Sequence, residues 1–161
     1  VVKLIMSSSL KFVEQYVKDI SASLPSKKLW IFDFDDTLVM SDSVTHVTTV
    51  GGHRFDLTPA QFAVYDKQPG DDFDYSDFRK LINPRPIAWM NEIFKHVHMI
   101  HGPEAMAVLS ARCAPDPIEE YLRSIDKNDV EIVTVDSGSP ILKMAWVIEA
   151  IRTRKLEAID F

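Results

Sequence analysis

Leu29-Trp30-Ile31-Phe32-Asp33-Phe34-Asp35-Asp36-Thr37-Leu38 is the stretch on which the reading of this chain turns. Four apolar residues, Leu29 to Phe32, run directly into three carboxylates, Asp33, Asp35 and Asp36. A continuous apolar run with Trp, Ile and Phe in it predicts a strand buried on both faces, as in parallel sheets. Acids at the end of such a strand have no place in a core, and in open α/β sheets that end is where ligands sit. Clustered carboxylates repel one another and are costly to desolvate, so a cation, most simply a divalent one, is expected beside them. The plainer alternative is an acidic turn with Asp36 as a helix N-cap. A cap needs one acid, and this segment has three.

Working outward, the elements alternate as in α/β proteins. Phe12, Val13, Tyr16, Val17 and Ile20 lie at helical spacing ahead of Pro25. After the motif, Val44–Val50 and His53–Leu57 flank Gly51-Gly52 and predict a β-hairpin. Thr58-Pro59 opens a short helix, with Thr as cap and Pro in its first position. Asp66 to Asp77 is polar, contains Pro69-Gly70, and reads as loop. Pro86 to His101 predicts a long helix stopped by Gly102-Pro103. Ala105–Leu109 predicts a second buried strand, and Asp116-Pro117 caps a helix running through Ile125. Val130–Val135 predicts a third strand, Pro140 to Arg154 a helix, and Leu156–Phe161 the start of a fourth strand.

The chain has 161 residues, 46% of them hydrophobic, enough for one core, so a single domain over 1–161 is expected, with an insertion at 40–91. A formal net charge of −6 argues against a duplex nucleic-acid binder. A single cysteine, Cys113, excludes an internal disulfide and suits a reducing, cytoplasmic setting. No run approaches the ~18 apolar residues that span a bilayer, so no membrane partner is expected. The opening Val1–Met6 is apolar but too short, and reads as a signal remnant or as residues upstream of a start at Met6.

Asp33-x-Asp35-x-Thr37-Leu38 after an apolar strand resembles the first motif of the haloacid dehalogenase-like (HAD) phosphohydrolases. Ala107-Val108-Leu109-Ser110-Ala111-Arg112, an apolar strand ending in a hydroxyl, resembles their second, and Lys143 near the start of the Pro140–Arg154 helix resembles their third. The resemblance covers roughly residues 27–38 and 104–161. It implies a three-layer, doubly wound (Rossmann-like) parallel sheet, with a hairpin flap and a small cap inserted after the first strand. It implies a Mg²⁺-dependent phosphatase in which Asp33 is the nucleophile, Asp35 the general acid/base, and both serve the metal. Thr37, Ser110, Lys143 and Arg112 would then surround the substrate phosphate, although Arg112 reads equally well as a surface residue after a strand. The chemistry suits the residues. A carboxylate is a competent nucleophile toward phosphorus when nearby positive charge offsets the substrate's negative charge. A second carboxyl two residues on points to the same side of an extended chain. The Asp35 position favours hydrolysis over simple transfer.

The resemblance fails at its last motif, one or two acids after the fourth strand. Here the sequence reaches Glu157-Ala158-Ile159-Asp160-Phe161 in what reads as that strand. Asp160 is either the first of those acids or a strand residue, with the acids beyond Phe161. The chain thus reads as truncated, leaving Mg²⁺ with Asp33, the Asp35 carbonyl and water. Expected substrates are a phosphorylated small molecule or a polynucleotide 3′-phosphate end. Two other readings stand beside this one: a receiver-type phosphoacceptor using Asp136, and a catalytically silent binding protein of the same fold.

Other patterns lead nowhere. The run Asp71-Asp72-Phe73-Asp74 lacks the glycine and terminal Glu of an EF-hand and reads as a solvated loop. Tyr65, Phe73, Tyr75 and Phe78 are expected to pin that loop to the body. His96, His98 and His101 do not share one helical face. Glu119 stands where a Cys113-x5-Arg loop would need arginine, and no P-loop or dinucleotide fingerprint occurs.

Overall fold

The computed structural model describes residues 28–160; the helix expected from Phe12 to Ile20 lies outside them. The fold is mixed α/β, built on a parallel four-stranded sheet. The apolar run becomes β1 (Lys28–Phe32), buried from Leu29 onward. β7 (Met106–Ser110) lies on one side of it and is buried throughout. β8 (Glu131–Thr134) flanks β7, and β9 (Ala158–Asp160) lies on the other side of β1. The order is β8-β7-β1-β9. The chain therefore builds outward from β1 and then returns to its opposite edge.

Alternation along β1 divides the core. Trp30 and Phe32 join Met106, Val108 and side chains of α2 (Ala88–His101) and α3 (Asp116–Ser124) in one cluster. Leu29 and Ile31 join Ala107, Leu109 and Ala150 of α4 (Pro140–Arg154) in the other. Phe32 meets Phe94 edge to face, ring centroids 5.0 Å apart, a favourable aromatic geometry. α4 spans the expected residues, and Ser139 caps the Ile141 amide with Pro140 at its first position. α3 differs: Pro115 is its N-cap, and Asp116 makes no side-chain cap bond.

The insertion forms two small antiparallel sheets. β2 (Val39–Met40) pairs β6 (Arg85–Pro86) as a stem. β3 (Thr45–Thr48) and β4 (Arg54–Leu57) form the expected hairpin. β5 (Asp72–Asp74) pairs the other edge of β3, so part of the acidic run expected as loop is strand. Pairing supplies the reason. Val47 stands opposite both Phe55 and Phe73, and Phe62 and Tyr65 from α1 (Pro59–Val64) and its end close over Phe73. Tyr65, Phe73 and Tyr75 thus belong to the insertion's own cluster and do not pin a loop to the body. α1 carries the predicted cap, completed by Gln61 as a capping box. No helix among the described residues is long and apolar enough to cross a membrane.

Candidate active site at the carboxyl end of the sheet

The chain leaves β1 through a tight turn. The Phe34 carbonyl accepts from the Thr37, Leu38 and Val39 amides, and Asp36 sits in a left-handed conformation at φ 57°. Asp tolerates that region better than most residues. No helix follows, so Asp36 is not an N-cap; its amide donates instead to the Val39 carbonyl. The turn is held from below by Asn91, whose buried amide donates to the Leu38 and Ile87 carbonyls and accepts from the Tyr121 hydroxyl. Sequence reading missed Asn91. The signal was there: a lone amide among Ile87, Met90, Ile93 and Phe94 on an apolar helix face needs a buried partner.

Each of the first two acids has its own cation. Asp33 accepts the Phe34 amide at 2.8 Å on Oδ1 and pairs through Oδ2 with Lys143 Nζ at 2.7 Å. Asp35 receives Arg112 through both Nε, at 3.2 and 3.0 Å, and Nη2, at 2.7 Å. Ser110 ends β7, fully buried, and its Oγ accepts the Arg112 amide. The last observed pair of the β1–β7 register is Phe32 with Val108, so Asp33 and Ser110 both lie at the same end of these two strands. The loops after β7 and β8 are stitched together by amides of Val135, Asp136 and Ser137 donating to the carbonyls of Ser110, Arg112 and Ala111.

Arg112 departs from expectation. It is no surface residue: only 2% of it is exposed. Its guanidinium is already engaged within the protein. Besides Asp35 it serves the carbonyls of Phe78 and Lys80 through Nη1, at 3.0 and 2.7 Å, and lies between the rings of Phe34 and Phe78. Thr37 lies in the turn, bonded through its amide to Phe34. Asp160 stands opposite Trp30 in β9 and pairs with Lys28, at the start of β1. It is a strand residue and stands apart from the acids beyond Phe32.

Three acids face two cations here, leaving one negative charge uncompensated. Asp36 is the acid without a cation of its own: burial, then the charges of Asp35 and Asp33, raise its carboxyl from the ordinary value. Among the described residues no group of three or more His, Cys, Asp or Glu side chains is arranged to hold a metal. Asp71 and Asp74, from the acidic run, are engaged locally, by Tyr65 and Gln68 and by Ser76. The chain matches no family model, no curated protein and no solved structure.

Proposed function

We propose that this protein is a phosphomonoesterase of the HAD type, working through an aspartyl-phosphate on Asp33. One observation carries the reading: Lys143 Nζ lies 2.7 Å from Asp33 Oδ2, joining residues from distant parts of the chain at the carboxyl end of a parallel sheet. On this reading the body is a three-layer doubly wound fold with the insertion as flap and small cap. An oxygen of Asp33 attacks phosphorus and the ester oxygen leaves, taking a proton that Asp35 has first picked up from solvent. Asp35, now a carboxylate, removes a proton from water, whose oxygen attacks phosphorus and releases phosphate and free Asp33. Lys143, paired with Asp33, offsets negative charge on the transferring group.

The donor chemistry fits Mg²⁺, which keeps most of its waters and needs one or two protein oxygens plus those of the substrate. Asp33 and the Asp35 backbone carbonyl would hold it, since the Asp35 carboxylate is occupied by Arg112. When bound, the ion supplies neutralisation of phosphoryl charge. The residual negative charge at Asp36 favours a cation there.

Hydrolysis of para-nitrophenyl phosphate with Mg²⁺ tests the proposal. Asp33→Asn should abolish turnover, by about a thousandfold or more. Asp35→Asn should leave at most a slowly hydrolysed phosphoenzyme. Wild-type rates in Asp33→Asn, or labelled phosphate trapped on Asp136 instead, would overturn it.

A further inference from the structure

We propose that Arg112 is a positioning residue that couples the seat of the insertion to Asp35. The inference rests on the role given to Asp35 above, but its coupling half stands on geometry alone. A guanidinium offers five N–H donors in a rigid fork. Here one edge, Nε and Nη2, grips Asp35, and Nη1 grips the carbonyls of Phe78 and Lys80 at the end of the 3₁₀ turn Ser76–Arg79. The Phe34 ring lies 5.4 Å and the Phe78 ring 5.6 Å from its central carbon. Such burial of an arginine is tolerated because its charge and nearly all its donors are matched.

The fork cannot hold both partners in place unless both are present. If the Phe78–Lys80 segment lifts, Nη1 loses two acceptors and the guanidinium is released from one side. If Asp35 is lost, the segment loses the charge that fixes its anchor. The same turn is tied to the hairpin, because Asp77 accepts the Val44 amide and faces His46. The insertion thereby sets the placement of the proton-transferring group. An open insertion and a misplaced Asp35 are one event.

Two measurements test this. In the first, Arg112→Met and Arg112→Lys are assayed on phenyl phosphate and para-nitrophenyl phosphate with Mg²⁺. A misplaced acid hurts poor leaving groups most, since general acid catalysis contributes about 10²–10⁴-fold. Both variants should lose about a hundredfold in kcat on phenyl phosphate and about tenfold or less on para-nitrophenyl phosphate, with KM changed by less than about threefold. Lysine keeps the charge but not the fork, so it should not rescue. A raised KM with equal loss on both substrates would make Arg112 a phosphate ligand and overturn the proposal. In the second, amide exchange is followed at Phe78 and Lys80, whose N–H groups bond to the Tyr75 and Asp77 carbonyls. Asp35→Ala should speed both by about tenfold, as should Arg112→Lys. Unchanged exchange in both variants overturns the coupling. A wild-type chain inert toward phosphate esters would sink the phosphatase reading while leaving the exchange result to decide the coupling.

Discussion

The body and the insertion of this molecule are held by different forces. In the body, β1 and β7 are buried on both faces, and residues such as Phe94, Leu109, Ile118 and Leu122 are fully enclosed. In the insertion, Val47 and Thr45 are buried on β3, while Phe55 and Tyr75 remain exposed and Val64 is 84% exposed. There the strands rely on pairing, on edge-to-face rings and on charge. One face of β3 presents Val47 to Phe55 and Phe73; the neighbouring residue His46 stands opposite Asp56 and Asp74. Apolar burial is cooperative and makes a global fold, whereas small clusters with exposed hydrogen bonds open locally. The difference gives the acids after β1 a rigid floor, while the insertion is free to open locally.

The largest effect expected from this contrast is in the body. Phe94→Ala removes a fully buried ring that meets Phe32, at a cost of about 3–5 kcal/mol. Against a total of about 5–15 kcal/mol, urea denaturation should show a much lower midpoint with the same slope. Phe73→Ala, on the insertion, should leave that midpoint nearly unchanged and speed amide exchange along β3 and β5. If both substitutions shift the global midpoint alike, body and insertion are one cooperative unit and the contrast fails.

The same division governs what was legible in the sequence. Leu29–Phe32 and Met106–Ser110 were readable because burial on both faces leaves an unbroken apolar run. The Pro140–Arg154 helix was readable because Ser139-Pro140 is local chemistry. Lys143 was singled out by its likeness to a family motif near a helix start, and the fold sets it against Asp33. β5 was not readable. Asp72-Phe73-Asp74 has poor strand propensity, and only the edge of β3 and the rings around Phe73 make it strand, as context commonly overrides propensity. The role of Arg112 was hidden for a different reason. Its partners include two backbone carbonyls, at Phe78 and Lys80, and no side-chain pattern marks a carbonyl. Asp160 stayed open between two readings because acids can be counted in a sequence but register cannot; pairing with Trp30 and Lys28 makes it the strand residue.

A smaller effect should separate the two regions by pH. Both ring nitrogens of His46 face carboxylate oxygens, Nδ1 toward Asp56 at 2.7 Å and Nε2 toward Asp77 at 3.3 Å. To donate at both, the ring must be cationic. Asp56, then Asp77, raise its pKa above the ordinary value of 6.5. A raised histidine contributes stability in full below that ordinary value, and loses it as pH climbs through the folded value above it. The insertion should therefore loosen as pH climbs from about 6.5 through the higher folded value, seen as exchange at the β3 amides rising beyond the normal chemical acceleration. In His46→Gln the excess should vanish. A body amide such as that of Val108 should show no such excess in either chain; if it does, the histidine acts on the whole fold.

The smallest effect lies at the seam, in the turn between β1 and the insertion. Asp36 has its carboxyl raised by burial and by Asp35 and Asp33, so the folded chain holds that proton more tightly than the unfolded chain does. Stability then falls as pH rises from the ordinary carboxylate value through the folded one, and at pH 7 the ionised group opposes folding. Asp36→Asn keeps a residue type that accepts φ 57° and removes the charge. Although burial partly desolvates its carboxyl, Asp36 as a residue is exposed, so solvent screening limits the gain to about 0.5 kcal/mol or less, or roughly 1–2 °C in Tm at pH 7. At pH 3, where the acid is protonated in both states, the two chains should melt together. A gain of the same size at both pH values would mean that the turn geometry, and not carboxylate repulsion, is what Asp36 strains. The distinction matters for the site, because repulsion among these acids is the force that would draw a cation to them.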